Sequence, residues 1–244
     1  MPNNLNLNVN PYYDDFSDDK QYQRILFKPG YAVQARELTQ IQTILQKQVE
    51  RFGNHVFKEG AVITGCDYAL NTKVPYVKIL DTDNASVTID NDVLASYEGE
   101  VLVNSATGLK AIIKKATGGS ESAIYKTLHV QYLNQGTNGT TTAFPADAVL
   151  YLESDNTITF VVAPSGVTPT GYGSLFSLKD GIIYGKGTFV IHQEQTVVVS
   201  AYSTTPSKKV GVTIVESIVG SDADSTLLDP ATGTYNYTAP GAID

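Results

Sequence analysis

The chain has no tryptophan, one methionine, one cysteine and three histidines among its 244 residues. A single thiol, Cys66, excludes an intramolecular disulfide framework and fits synthesis in a reducing compartment. Cations are scarce too: 17 Lys and Arg against 25 Asp and Glu give a net charge of −8 and a pI near 4.8. Phosphate backbones are held by clustered Lys and Arg, so nucleic acid is not an expected partner. No apolar run approaches the roughly 20 residues that cross a bilayer, so no membrane insertion is expected. The polar start, Met1-Pro-Asn-Asn-Leu-Asn-Leu-Asn8, lacks the basic end and apolar stretch of a signal peptide. Charged residues are only 17% of the chain, below the usual quarter or so. So thin a supply fits a protein whose surface is partly covered in an assembly, although Asn, Thr and Ser solvate a monomer equally well.

What is abundant points to β-structure. Gly 20 and Tyr 15 accompany many Thr, Val and Ile residues, the composition of strands punctuated by turns. The expected fold is mainly β with one long helix near the N-terminus, and a discontinuous β domain carrying a small inserted barrel or sandwich. Residues 1–31 read as an extended N-terminal arm, with a short apolar strand at Arg24-Ile-Leu-Phe-Lys28 stopped by Pro29-Gly30. Residues 32–54 read as the helix. Val33, Leu38, Ile41, Ile44, Leu45, Val49 and Phe52 recur at helical spacing, and Gly53-Asn54 supplies a left-handed cap. Within it Leu38, Ile41, Leu45, Gln48 and Phe52 alternate by three and four, the seam of a coiled coil with Gln48 as its polar layer. Two heptads do not separate a seam from a helix packed on its own sheet.

From residue 55 the pattern is β. Residues 55–95 plus 175–221 read as the main β domain, its last strand at Lys209-Val-Gly-Val-Thr-Ile-Val-Glu216. Residues 96–161 read as the small inserted barrel, 162–174 as a Pro- and Gly-rich linker and 222–244 as an irregular tail.

No catalytic, metal or cofactor residues emerge from the sequence, and no enzyme is expected. His55, His129 and His192 lack the short spacings of metal motifs, and Cys66 has no CxxC partner. Gly185-Lys-Gly-Thr188 fails as a phosphate loop: the position five before Gly185 is Asp180, Gly187 follows the lysine, and a strand pattern follows. It reads as a tight strand connection. Asp81, Asp83 and Asp92 outline a calcium loop without its central glycine or terminal glutamate; they read as a solvated turn, as do Asp222, Asp224 and Asp229.

Longer strings carry a resemblance. Asn10-Pro-Tyr-Tyr-Asp-Asp-Phe16, the run from Arg24 to Thr43, Gln48-Val-Glu-Arg-Phe-Gly-Asn-His-Val-Phe-Lys-Glu-Gly60, Thr205-Pro-Ser-Lys-Lys-Val-Gly211, Ile214-Val-Glu-Ser-Ile-Val219 and the run from Ala231 to Ala242 resemble a family of virion structural proteins of tailed phages, notably cyanophages. Its members are tail-fibre or baseplate components with an uncharacterised domain. The insert 96–161 is loosely similar to small β-modules of phage tails. Relatives commonly continue past the segment ending at Ala242, so the chain is expected to be a short member or part of a longer one.

The resemblance implies a homotrimer within the virion. Leu38, Ile41, Leu45, Gln48 and Phe52 would face the axis, and Tyr12, Tyr13 and Phe16 of the arm would dock into a neighbouring baseplate or tail protein, since aromatic anchors concentrate interface energy. The competing expectation is a host-facing module in which Tyr125, Tyr132 and Tyr151 of the insert stack on a surface glycan. Polysaccharide cleavage is a weaker third, because the sequence places no pair of carboxylates.

Overall fold

A computed structural model describes residues 6–118 and 125–241. The protein is mainly β with one long helix near its N-terminus. In chain order, α1 (Ala35–Val56) precedes β1 (Ala61–Gly65), β2 (Tyr68–Leu80), α2 (Asn91–Ser96), β3 (Val101–Asn104) and β4 (Lys110–Thr117). There follow β5 (Tyr125–Tyr132), β6 (Val149–Leu152), β7 (Thr159–Val161), β8 (Thr170–Leu178), β9 (Gly181–Gly185), β10 (Thr188–His192) and β11 (Gln195–Ser200). The chain forms two compact units. The first takes the chain up to Thr64, Ile182–Ile191 and the chain from Val212; the second takes Gly65–Gly181 and His192–Gly211.

The first unit is built on α1 and a three-stranded sheet of order β1-β9-β10. Helix α1 starts three residues later than its apolar periodicity predicts, because the N–H of Gln34 donates to Glu37 Oε2 (3.0 Å) and closes the first turn. It also runs past the expected stop. Gly53 is an interior helix residue, and a Cβ there would lie 2.4 Å from the Tyr184 ring. The glycine serves close packing, not termination. The Tyr184 hydroxyl then donates to Glu50 O (3.1 Å) or Asn54 Oδ1 (2.9 Å), and Phe57 and Phe189 pack on its ring at 5.6 and 5.3 Å. Lys186 (φ 50°) and Gly187 (φ 81°) form the two-residue β9–β10 turn, in which both central residues take positive φ.

The second unit holds an eight-stranded sheet of order β11-β8-β2-β5-β4-β3-β6-β7. It curls until its far edge returns to β2: Ile79 lies opposite Val162, and the Ala163 N–H donates to Lys78 O (2.9 Å). The enclosed core contains Ile79, Leu102, Ile113, Leu128, Leu150 and Phe160, all essentially solvent-free. At about 1.5–3 kcal/mol for each large apolar side chain, this interior dominates the unit's stability.

Strands β3 to β7 lie within 96–161, but they belong to the same curled eight-stranded sheet as β2, β8 and β11, which lie outside that segment. Nor does 162–174 act only as a linker, since β8 begins at Thr170. Its glycines admit close neighbours: a Cβ on Gly171 would lie 2.8 Å from Tyr76 Oη, and one on Gly173 2.4 Å from Ala201 O. Two segments expected as strands, around Arg24–Lys28 and Lys209–Glu216, lie outside both sheets.

Candidate functional site

Helix α1 is amphipathic in an unusual sense: apart from buried Ile44 and Gly53, the side facing its own unit is mostly polar. Asp14 is buried and accepts from Thr43 Oγ1 (2.5 Å) and from the Phe16 N–H (3.1 Å). Asp15 pairs with Arg36 and Lys20, both at 2.7 Å, and accepts from Gln40 Nε2 (3.2 Å). Lys20, then Arg36, holds the Asp15 carboxyl well below the usual carboxylate range. Asp18 meets Arg51 at 2.6 Å, and Gln23 accepts from Gln48 Nε2 at 3.1 Å. Three aspartates therefore lay the N-terminal arm along Arg36, Gln40, Thr43 and Arg51 of its own helix.

The opposite side carries the apolar residues. Leu38, Leu45, Val49, Phe52 and Val56 are 44–64% exposed. Their spacing, with Gln42 filling the one polar position, is 38-42-45-49-52-56, an unbroken alternation of four and three. An apolar stripe on a globular surface helix ordinarily faces its own core. Here it faces outward, and a contiguous exposed apolar surface of this kind marks an interaction site.

The expected seam is partly displaced. Leu38, Leu45 and Phe52 lie on the stripe; Ile41 is half-buried at its margin, and Gln48 is held by Gln23 of the arm. The signal for Gln42, Val49 and Val56 was present in the sequence, because both registers share Leu38, Leu45 and Phe52. Burial of Ile44 against the unit fixes which side of the helix turns inward.

The docking aromatics are also placed. Tyr12 and Phe16 are half-buried on their own chain, and only Tyr13 stays exposed. Beside the stripe lies a cleft of about 930 Å³, bordered by Leu45, Val49, Phe16, Lys186 and Glu216. Glu216 Oε2 is buried there without a hydrogen-bond partner.

The three candidate sugar-stacking tyrosines do not share a face. Tyr132 follows Leu128 and Val130 at period two on β5, packs on Phe144 (ring centroids 5.3 Å apart), and burial pushes its hydroxyl up to about 12. Tyr125 points to the other face of that strand, and Tyr151 alternates with buried Leu150 and Leu152 on β6. His129 and His192 are strand residues, and Cys66 is a buried free thiol.

The acidic loops engage their own backbone. Asp83 Oδ1 accepts from Ala85 and Val87 (2.8 Å each), Asp90 caps α2 through the Asp92 N–H (2.9 Å), and Asp224 caps a short 3-10 turn. Among the described residues no group of three or more His, Cys, Asp or Glu could hold a metal ion, and no helix is long and apolar enough to cross a membrane.

These features define a β-rich protein with an uncovered apolar helix. Residues 10–108, which include all of α1, are similar to a family described as a domain of unknown function, DUF4815. No curated protein and no solved structure matches the chain.

Proposed function

We propose that this protein is a structural component of a phage tail or baseplate that self-associates through α1, as a trimer within the virion. It would act as a fibre or fibre-attachment protein and engage neighbouring tail proteins through the exposed part of its arm. The observation that carries self-association is the outward apolar stripe from Leu38 to Val56, whose heptad spacing is the geometry by which identical helices pack knobs into holes. The particle and the three-fold axis rest on the resemblance of the arm, helix and C-terminal strings to virion proteins. No catalytic role is proposed.

Light scattering on the full chain tests the association. The expected mass is three times the 26.3 kDa of one chain. A mass of twice the chain keeps the seam but overturns the three-fold axis, an outcome that valine in one layer and leucine in the next would favour. A monomer at micromolar concentration overturns the reading. Proteomic detection of the chain in purified virions, with loss of assembled tails when its gene is disrupted, tests the particle assignment.

A further inference from the structure

Two segments of the first unit have strand sequences and no strand partner. Among the described residues, Tyr22–Phe27 and Val212–Val219 make no backbone–backbone hydrogen bond. Both are rich in residues that favour strands: Ile25, Leu26 and Phe27 in one, Val212, Thr213, Ile214 and Val215 in the other. Leu26 is 80% exposed and Val215 83%. An uncovered β-branched run with free N–H and C=O groups is an aggregation hazard unless something pairs with it.

Charge identifies the partner. Arg24 makes no ion pair among the described residues, and Lys28 is engaged only with Tyr31, its ammonium 4.5 Å from the ring centre. Glu216, the one acid in the second segment and half-exposed, makes no ion pair among the described residues. We propose that Arg24–Lys28 of one copy pairs antiparallel with Val212–Glu216 of a second copy, Arg24 lying opposite Glu216. This rests on self-association of the chain. The register places Leu26 opposite Ile214 and Lys28 opposite Val212 on one face. It places Ile25 opposite Val215 and Phe27 opposite Thr213 on the other, so apolar side chains meet directly at the two central pairs, Ile25–Val215 and Leu26–Ile214. Every copy carries one donor and one acceptor segment. The contact is therefore heterologous and closes into a ring when the copies are related by a rotation axis, as those gathered around the α1 seam would be.

Cysteine cross-linking tests it, with Cys66 buried and silent in the background. Phe27→Cys and Thr213→Cys, both at exposed positions, are made in separate full-length chains and mixed under mild oxidant. A linked pair of chains in the mixture and in neither variant alone is the expected result. Glu216→Arg should reduce that product several-fold, and combining it with Arg24→Glu should restore it. Association by light scattering without the cross-link, a bond formed inside a single chain carrying both cysteines, or self-linking of either single variant overturns the ribbon and leaves the α1 association standing. A chain that stays monomeric overturns both.

Discussion

At the scale of single residues, Gly53 and His129 owe their places to the groups packed against them. Gly53 reads as a helix stop because glycine caps helices; its actual reason, the Tyr184 ring 2.4 Å from where a Cβ would sit, belongs to another part of the chain. Gly53→Ala should therefore destabilise the protein by about 1–3 kcal/mol, the cost of overpacking. Denaturant melts will read it, and an unchanged midpoint would mean that the helix and Tyr184 do not meet. His129 is legible as an ordinary strand residue, yet its surroundings are not. It is fully buried, Nε2 lies 3.3 Å from Ala201 O, and Nδ1 has no partner. Burial holds the imidazole below its ordinary 6.5, so in mildly acid solution the unfolded chain binds a proton that the folded chain refuses. Its contribution is complete above 6.5 and is lost as pH falls below that value. Melting temperatures at pH 8 and pH 5 should differ less for His129→Leu than for the parent; an equal difference would assign the acid sensitivity to other groups.

At the scale of elements, periodic segments are legible and irregular ones are not. The long helix follows from apolar residues at three- and four-residue spacing. The short α2 does not, because its six residues depend on Asp90 as a cap and on Leu94 filling the barrel core. The arm looks unattached in sequence because the aspartates that fix it are polar and their partners lie on α1. The strength of those contacts should differ with burial. Asp14 is buried and Asp18 exposed. Asp14→Ala takes the acceptor from the Phe16 N–H, leaves the Thr43 hydroxyl only the longer bond to Thr39 O (3.4 Å), and should cost about 1–3 kcal/mol. Asp18→Ala breaks only a solvated pair with Arg51 and should cost no more than about 1 kcal/mol. Hydrogen exchange along residues 6–20 should accelerate in the first variant and barely change in the second. Equal acceleration would mean that Asp14 does not anchor the arm.

At the scale of the whole molecule, a solvent-exposed stripe has opposite consequences for folding and for association. Leu45 and Phe52 contribute little to the stability of one chain, because most of each side chain stays in water there. In an assembled seam both would be covered. Stability should consequently depend on concentration: binding between folded copies raises the melting temperature by mass action. The double variant Leu45→Glu, Phe52→Glu should melt at one temperature throughout a roughly hundredfold dilution series, near the dilute limit of the parent. Salt supplies a second discriminator. Each copy carries a net −8, so screening their repulsion should strengthen association through the apolar seam, whereas an Arg24–Glu216 contact at the ribbon should weaken as salt rises. A parent protein whose melting temperature ignores concentration at both low and high salt has no seam, and its apolar stripe would then need a different partner.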